Sequence, residues 1–148
     1  MKNILLILLA AAFTACTGKT VKNDDPFKTA GAYNLKVIIY NSDITNPDED
    51  DRCYYRIYVN KIERGRTSTG LESQEKTFEG KVSGKRNLIS IEKWILDKKR
   101  GRYRKVNNVR QPRPSFYYFS IPEKRVLRIT VKNKNSGRAE YSEVLEKK

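Results

Sequence analysis

Histidine is missing altogether from this 148-residue chain. Its absence removes the commonest general base, the commonest zinc ligand, and every Ser-His-Asp or Cys-His arrangement at once. Without it, an enzyme would need a carboxylate pair or a tyrosine set in a cleft. Glu63, Glu72, Glu75 and Glu79 qualify by residue type alone, so the expectation is a protein that is not an enzyme and carries no cofactor. Long apolar runs are absent too. The run Ile4 to Phe13 falls short of the roughly 20 residues that a membrane-crossing helix needs. No stretch has sustained helical periodicity, and no internal repeat is evident. Cysteine is scarce, with only Cys16 and Cys53. If Cys16 is modified, Cys53 is left without a partner and no disulfide can staple the fold.

Positive charge is abundant. Thirty-one Lys and Arg face 17 Asp and Glu, a formal net charge of +14. Such an excess points to anionic partners: lipid head groups, acidic polysaccharide, nucleic acid or an acidic protein.

At the N-terminus Lys2 and Asn3 precede the apolar run, which ends in Thr14, Ala15 and Cys16. A positive start, a short apolar stretch and small residues before a cysteine make a secretory signal. The motif resembles the lipobox of bacterial lipoproteins, with Phe13 where Leu is preferred. The resemblance implies cleavage before Cys16, palmitate-type acylation of Cys16 and a lipid-anchored protein of the cell envelope. Because Thr17, not Asp, follows the cysteine, similarity to enteric lipoproteins favours the outer membrane. Removal of residues 1–15 takes away Lys2 alone among charged residues, so +14 becomes +13. Two or more acyl chains give the stable anchoring that one cannot. Residues 16–32 are polar and aperiodic, the signature of a tether.

Residues 33–148 read as a single all-β domain, an antiparallel β-sandwich of about seven to eight strands. Leu35, Val37 and Ile39 alternate, as do Cys53, Tyr55, Ile57 and Val59. Leu127, Ile129 and Val131 face one way, with Arg128, Thr130 and Lys132 facing the other. Further runs are Phe78 with Val82, Leu88 to Leu96, Tyr103 to Val109, Phe116 to Ile121 and Ala139 to Leu145. Cys53 reads as a small core hydrophobe. The density of the run around Trp94 favours a core position for that ring. Tyr58-Val59-Asn60-Lys61 with Gly65-Arg66-Thr67, followed by Gly84 to Lys93, resembles the hairpin and return strand of PEGA-type modules and of the wider transthyretin-like and immunoglobulin-like sandwiches. In PEGA-type modules a turn glycine usually stands where this chain has Lys61. The resemblance implies a binding or structural role without catalytic residues.

Three local features could carry chemistry. The densest is a basic hairpin turn, Lys98, Lys99, Arg100, Arg102, Arg104 and Lys105, continued by Arg110 and Arg113. Its field suits sulfate, phosphate or carboxylate, and its arginines add bidentate geometry. An acidic loop holds Asp43, Asp48, Glu49, Asp50 and Asp51. Asp48, Asp50 and Asp51 are calcium candidates by type, although the spacing is not that of an EF-hand, and pairing with the basic turn is an equal alternative. Last, on a two-faced strand Phe116 and Tyr118 share one side while Tyr117 and Phe119 share the other. Core packing is the favoured reading, because sandwich strands bury aromatics on the inner face; the alternative, an exposed pair beside Arg110 and Arg113, would suit sugar stacking or single strands. The function expected from all this is a membrane-anchored, non-catalytic binding module. Its partner would be an anionic polysaccharide, lipid head group or acidic protein, with nucleic acid not expected. The alternative is a periplasmic accessory lipoprotein that supports an envelope complex.

Overall fold

In the computed structural model, which describes residues 33–83 and 86–147, two β-sheets pack face to face over one apolar core. The strands are β1 (Leu35–Asn41), β2 (Arg52–Val59), β3 (Ile62–Arg66), β4 (Gly70–Leu71), β5 (Lys76–Gly80), β6 (Asn87–Asp97), β7 (Arg102–Lys105), β8 (Phe116–Phe119), β9 (Arg125–Asn133) and β10 (Ala139–Lys147). The only helical segment among the described residues is the 3-10 turn Pro47–Glu49. No helix among them is long and apolar enough to cross a membrane.

The first sheet has the order β10-β9-β1-β5 and the second is built on β3-β2-β6-β7. Strand β4 also lies along β2, and β8 along β6. The sandwich is therefore all-β as expected, with ten strands where about seven or eight were counted, because the neighbours of β2 and β6 each come in two pieces. Pairing is antiparallel except between β1 and β9, which run parallel with Val37 opposite Ile129. Alternation gives side chains but not strand direction, so this pairing carried no sequence signal.

Period-2 alternation sets the core. Leu35, Val37 and Ile39 of β1 and Leu127, Ile129 and Val131 of β9 meet Cys53, Tyr55, Ile57 and Val59 of β2 and Ile89, Ile91 and Ile95 of β6. Cys53 is a free, buried thiol, and burial pushes its pKa up to about 11, so it packs as an inert hydrophobe. Trp94 is a correction. Its strand alternates Ile89, Ile91, Lys93 and Ile95 inward, which puts Trp94 on the outer face, half-buried. There it lies 6.1 Å from Tyr54 and 4.2 Å beneath the Arg56 guanidinium. The run of apolar letters reflected a strand with one core face and one self-covered outer face.

Two connections shape the outer surface of the second sheet. Asn60 and Lys61 both have positive φ (53° and 68°), which makes a tight β2–β3 hairpin whose twist matches its strands. Between β7 and β8, residues 106–115 form a strap that binds both sheets. On one side Gln111 Oε1 accepts from the Lys93 amide (2.8 Å) while its Nε2 donates to the carbonyls of Lys93 (3.1 Å) and Val106 (3.0 Å). On the other side the Arg113 amide donates to Gly137 O and Arg113 O accepts from the Ala139 amide, each at 2.8 Å.

Candidate functional site

The strap leaves a gap. Strand β7 pairs with β6 at Trp94 to Asp97 and β8 pairs at Asn87 to Ser90. Between them, on the outer face, lies a cleft of about 490 Å³ whose walls include Tyr58, Lys61, Ser90, Glu92, Lys105 and Arg113. Ligand pockets commonly occupy a few hundred to about 1,000 Å³. Alternation explains the composition, since Tyr58, Ser90 and Glu92 are the outward members of β2 and β6, whereas Gln111 closes the floor with its strand-like amide.

At the centre, Glu92 Oε1 accepts from Lys105 Nζ at 2.6 Å and Oε2 accepts from the Tyr58 hydroxyl at 3.2 Å. Burial works against the Glu92 charge, but the hydrogen bonds from Lys105 and Tyr58 and the Lys105 charge outweigh it and hold the carboxyl below its usual range. For Tyr58, burial first and the nearby carboxylates next raise the phenol, so it stays a donor. The pair offers hydrogen bonds from fixed protonation states. Against one carboxylate the cleft sets Lys61, Lys105 and Arg113. The Arg113 Nη2 donates to Ser136 O at 2.9 Å, which leaves most of its five N–H donors for other acceptors.

Beside the cleft, Phe116 stands opposite Ser90 and Tyr118 opposite Leu88. Their rings meet edge to face at 6.1 Å and are 49% and 53% exposed. Phe119 is buried and Tyr117 stacks on Tyr141 at 5.1 Å. The two-sided reading of this run was right, and the Phe116–Tyr118 side is the exposed one. Arg110 does not accompany it. The cation over Tyr118, at 4.7 Å, is Arg86, two residues before Leu88 and so on the same face; that spacing was the signal available in the sequence.

The basic run divides. Lys105 and Arg113 reach the cleft. Lys98 pairs with Asp51 (3.4 Å), while Arg100 and Arg104 pair with Asp97 (4.0 and 3.6 Å). Arg110 pairs with Asp51 (3.6 Å) and Glu72 (3.2 Å). Lys99 and Arg102 are exposed and make no side-chain ion pair among the described residues. Pairing of the acidic loop with the basic turn thus occurs within the molecule. Asp50 accepts from the amide (3.0 Å) and hydroxyl (2.5 Å) of Ser73, and Asp48 is exposed. Among the described residues no group of three or more acidic side chains is placed to hold a metal, so Asp48, Asp50 and Asp51 do not converge as calcium ligands.

Of the carboxylates named by type, Glu63 pairs with Arg56 and Glu79 with Lys36, Glu75 is exposed, and Glu72 is buried. Glu72 joins Lys93, Arg110 and Asn41 at a second, smaller cavity of about 320 Å³. Lys76, fully buried, donates to the carbonyls of Leu71, Glu72 and Gln74. Burial lowers its pKa. Each of these charges has partners inside the fold, so the cluster ties the turn 71–75 to β6 and the strap. Cys16 lies outside the described residues, as do Gly84 and Lys85 of the PEGA-like segment. Comparison with protein families, with curated proteins and with solved structures finds no match to the chain, so the chemistry of the cleft is read from its own geometry.

Proposed function

We propose that the chain is a lipid-anchored protein of the bacterial cell envelope whose β-sandwich binds an anionic ligand, without turnover, in the cleft between β7 and β8. The observation that carries the reading is the set of cations there: Lys61, Lys105 and Arg113 around a single carboxylate, Glu92. Lys105 and Arg113 belong to the basic stretch that stood out in the sequence. The anchor rests on the lipobox resemblance at Cys16. A tether from Thr17 to Ala32 would let the domain reach a partner beyond the lipid surface.

Two measurements test the two halves. Binding of the full-length chain in detergent to immobilised dextran sulfate should weaken steeply with salt, as charge-driven contacts do. Lys61→Gln/Lys105→Gln/Arg113→Gln should weaken it more than Lys98→Gln/Arg100→Gln/Arg104→Gln, because the cleft sets three cations against one acid, Glu92, whereas those three face two, Asp51 and Asp97. The reverse order would move the site to the hairpin tip. For the anchor, labelled palmitate should enter the wild-type chain and not Cys16→Ser; equal labelling would sink it. Shaving of intact cells with protease then separates a surface ligand from a periplasmic one.

A further inference from the structure

The cleft is too large and too mixed in character for a bare inorganic anion, which needs cations and little else. Its volume of about 490 Å³ suits a group of several linked rings or a small organic molecule. Its polar groups are of both kinds. Glu92 can only accept, and its hydrogen bonds from Tyr58 and Lys105 leave part of its roughly four lone-pair sites open. Ser90 and Asn108, also in the wall, can donate or accept. Directly beside this polar floor lies the Phe116–Tyr118 surface, and among the described residues these are the only aromatic rings in the set of exposed large hydrophobic side chains. Both face the same way as Ser90, which belongs to the cleft, so ring surface and polar floor form one continuous strip.

We infer that the ligand is an acidic glycan, such as a uronic-acid chain, with a sugar ring on Phe116 and Tyr118 and its carboxylate among Lys61, Lys105 and Arg113. This rests on the anion-binding reading above and names the ligand class. A pyranose presents an apolar C–H face that an aromatic ring covers. Its hydroxyls both donate and accept, which matches Glu92, Ser90 and Asn108. Its carboxylates match the surplus of cations, with Arg113 capable of bidentate contact. Single-stranded DNA fits less well. Its phosphodiester backbone carries no hydroxyl to donate to Glu92, whereas a uronate ring does.

The test titrates the full-length chain in detergent with a defined oligogalacturonate, its methyl ester, oligo(dT) and poly(vinyl sulfate), a polyanion without sugar rings. The acid oligosaccharide should bind and its neutral ester should bind far more weakly. Phe116→Ala/Tyr118→Ala should weaken the uronate by about tenfold or more while poly(vinyl sulfate), which has no sugar ring, changes little. Phe116→Leu/Tyr118→Leu keeps apolar area without rings and should lose the same affinity; far-UV circular dichroism checks that both variants fold. If oligo(dT) binds more tightly than the uronate, or the ring variants bind the uronate normally, the glycan assignment falls and the anion site stands. If no polyanion binds, both fall together.

Discussion

At the scale of single residues, the least replaceable charges are those that the core had to accommodate. Lys93 occupies an inward position of β6 between Ile91 and Ile95, and its ammonium is neutralised by Glu72, itself buried. Glu72 also holds Arg110 and Asn41, so removing Glu72 strands the Lys93 ammonium in a low-dielectric site at a cost of about 3–5 kcal/mol, whereas removing Lys93 leaves Glu72 two partners and costs less. Glu72→Leu alone should lower the urea midpoint strongly and Lys93→Met less, whereas the double variant should recover much of the Glu72→Leu loss, because no buried ammonium is left to compensate. An additive double variant would mean that the pair does not act as a unit. Glu92 gives a pH signature. Its pKa is lower in the fold than the ordinary 4.5, so its contribution is present above that value and is lost as pH falls through the depressed folded value. Unfolding between pH 5 and 3 should therefore show a steeper loss in the wild type than in Glu92→Gln. Equal slopes would mean that Lys105 and Tyr58 do not hold this carboxylate in solution.

Among the structural elements, the strap decides both the shape of the cleft and the integrity of the sheet beneath it. Gln111 completes the hydrogen bonding of β6 with a side chain, at three backbone partners. Gln111→Ala should cost about 2–4 kcal/mol in urea unfolding, since buried backbone groups lose their partners. Gln111→Glu keeps an acceptor for the Lys93 amide but loses both donors, and should fall no less far. Gly137 lies under the same strap: at φ 81° a Cβ there would meet Val109 O at 2.4 Å, so Gly137→Ala should also destabilise. On the opposite wall, Lys61 takes a left-handed turn conformation that favours glycine. Lys61→Gly should stabilise by up to about 1 kcal/mol while weakening polyanion binding, a split between stability and function that a merely structural turn residue would not show.

How much of this was legible in the chain follows from the same elements. Strands β1, β2, β6 and β9 were visible because one face of each packs on the core, and so alternation survives in their letters. Strand β3, Ile62–Arg66, left no alternation, because it is exposed apart from Gly65 and owes its place to backbone pairing with β2, and only the PEGA-like resemblance of the stretch from Tyr58 to Thr67 implied a hairpin there. Strand β7 ends at Lys105 although apolar letters continue to Val109, because Asn107 and Asn108 open the strap instead. The cleft itself had no linear signature. Its cations come from a hairpin turn, a strand end and a strap, and only the register of β6 against β7 and β8 unites them. Trp94 misled for a related reason: Arg56 and Tyr54 cover it from the solvent side, so an apolar residue faces outward without being bare.

Across the whole molecule, a strongly basic chain exposes an acidic edge. Among the described residues, strand β10 ends the first sheet and pairs only with β9. Its opening is covered by the strap through the Ala139 amide and by the Tyr141 hydroxyl, which donates to Pro114 O at 2.8 Å. Beyond Tyr141 the outer backbone edge has no neighbouring strand among the described residues, and Val144 and Leu145 are both 48% exposed. An uncovered edge with apolar side chains is a template for pairing with a second copy. Glu143 and Glu146 flank those two residues, and Glu146 is fixed by Arg128 at 3.1 Å. Two copies meeting antiparallel along β10 would bring these carboxylates together, so the charges oppose association that the apolar pair would otherwise favour. Glu143→Val/Glu146→Val should therefore give a species whose mass by light scattering rises with concentration more steeply than the wild type's. The same variant should keep its affinity for dextran sulfate, since neither residue touches the cleft. If its mass rises no more steeply than the wild type's, the edge is protected by twist or by the strap, and the acidic residues of β10 are a solvated face with no part in keeping copies apart.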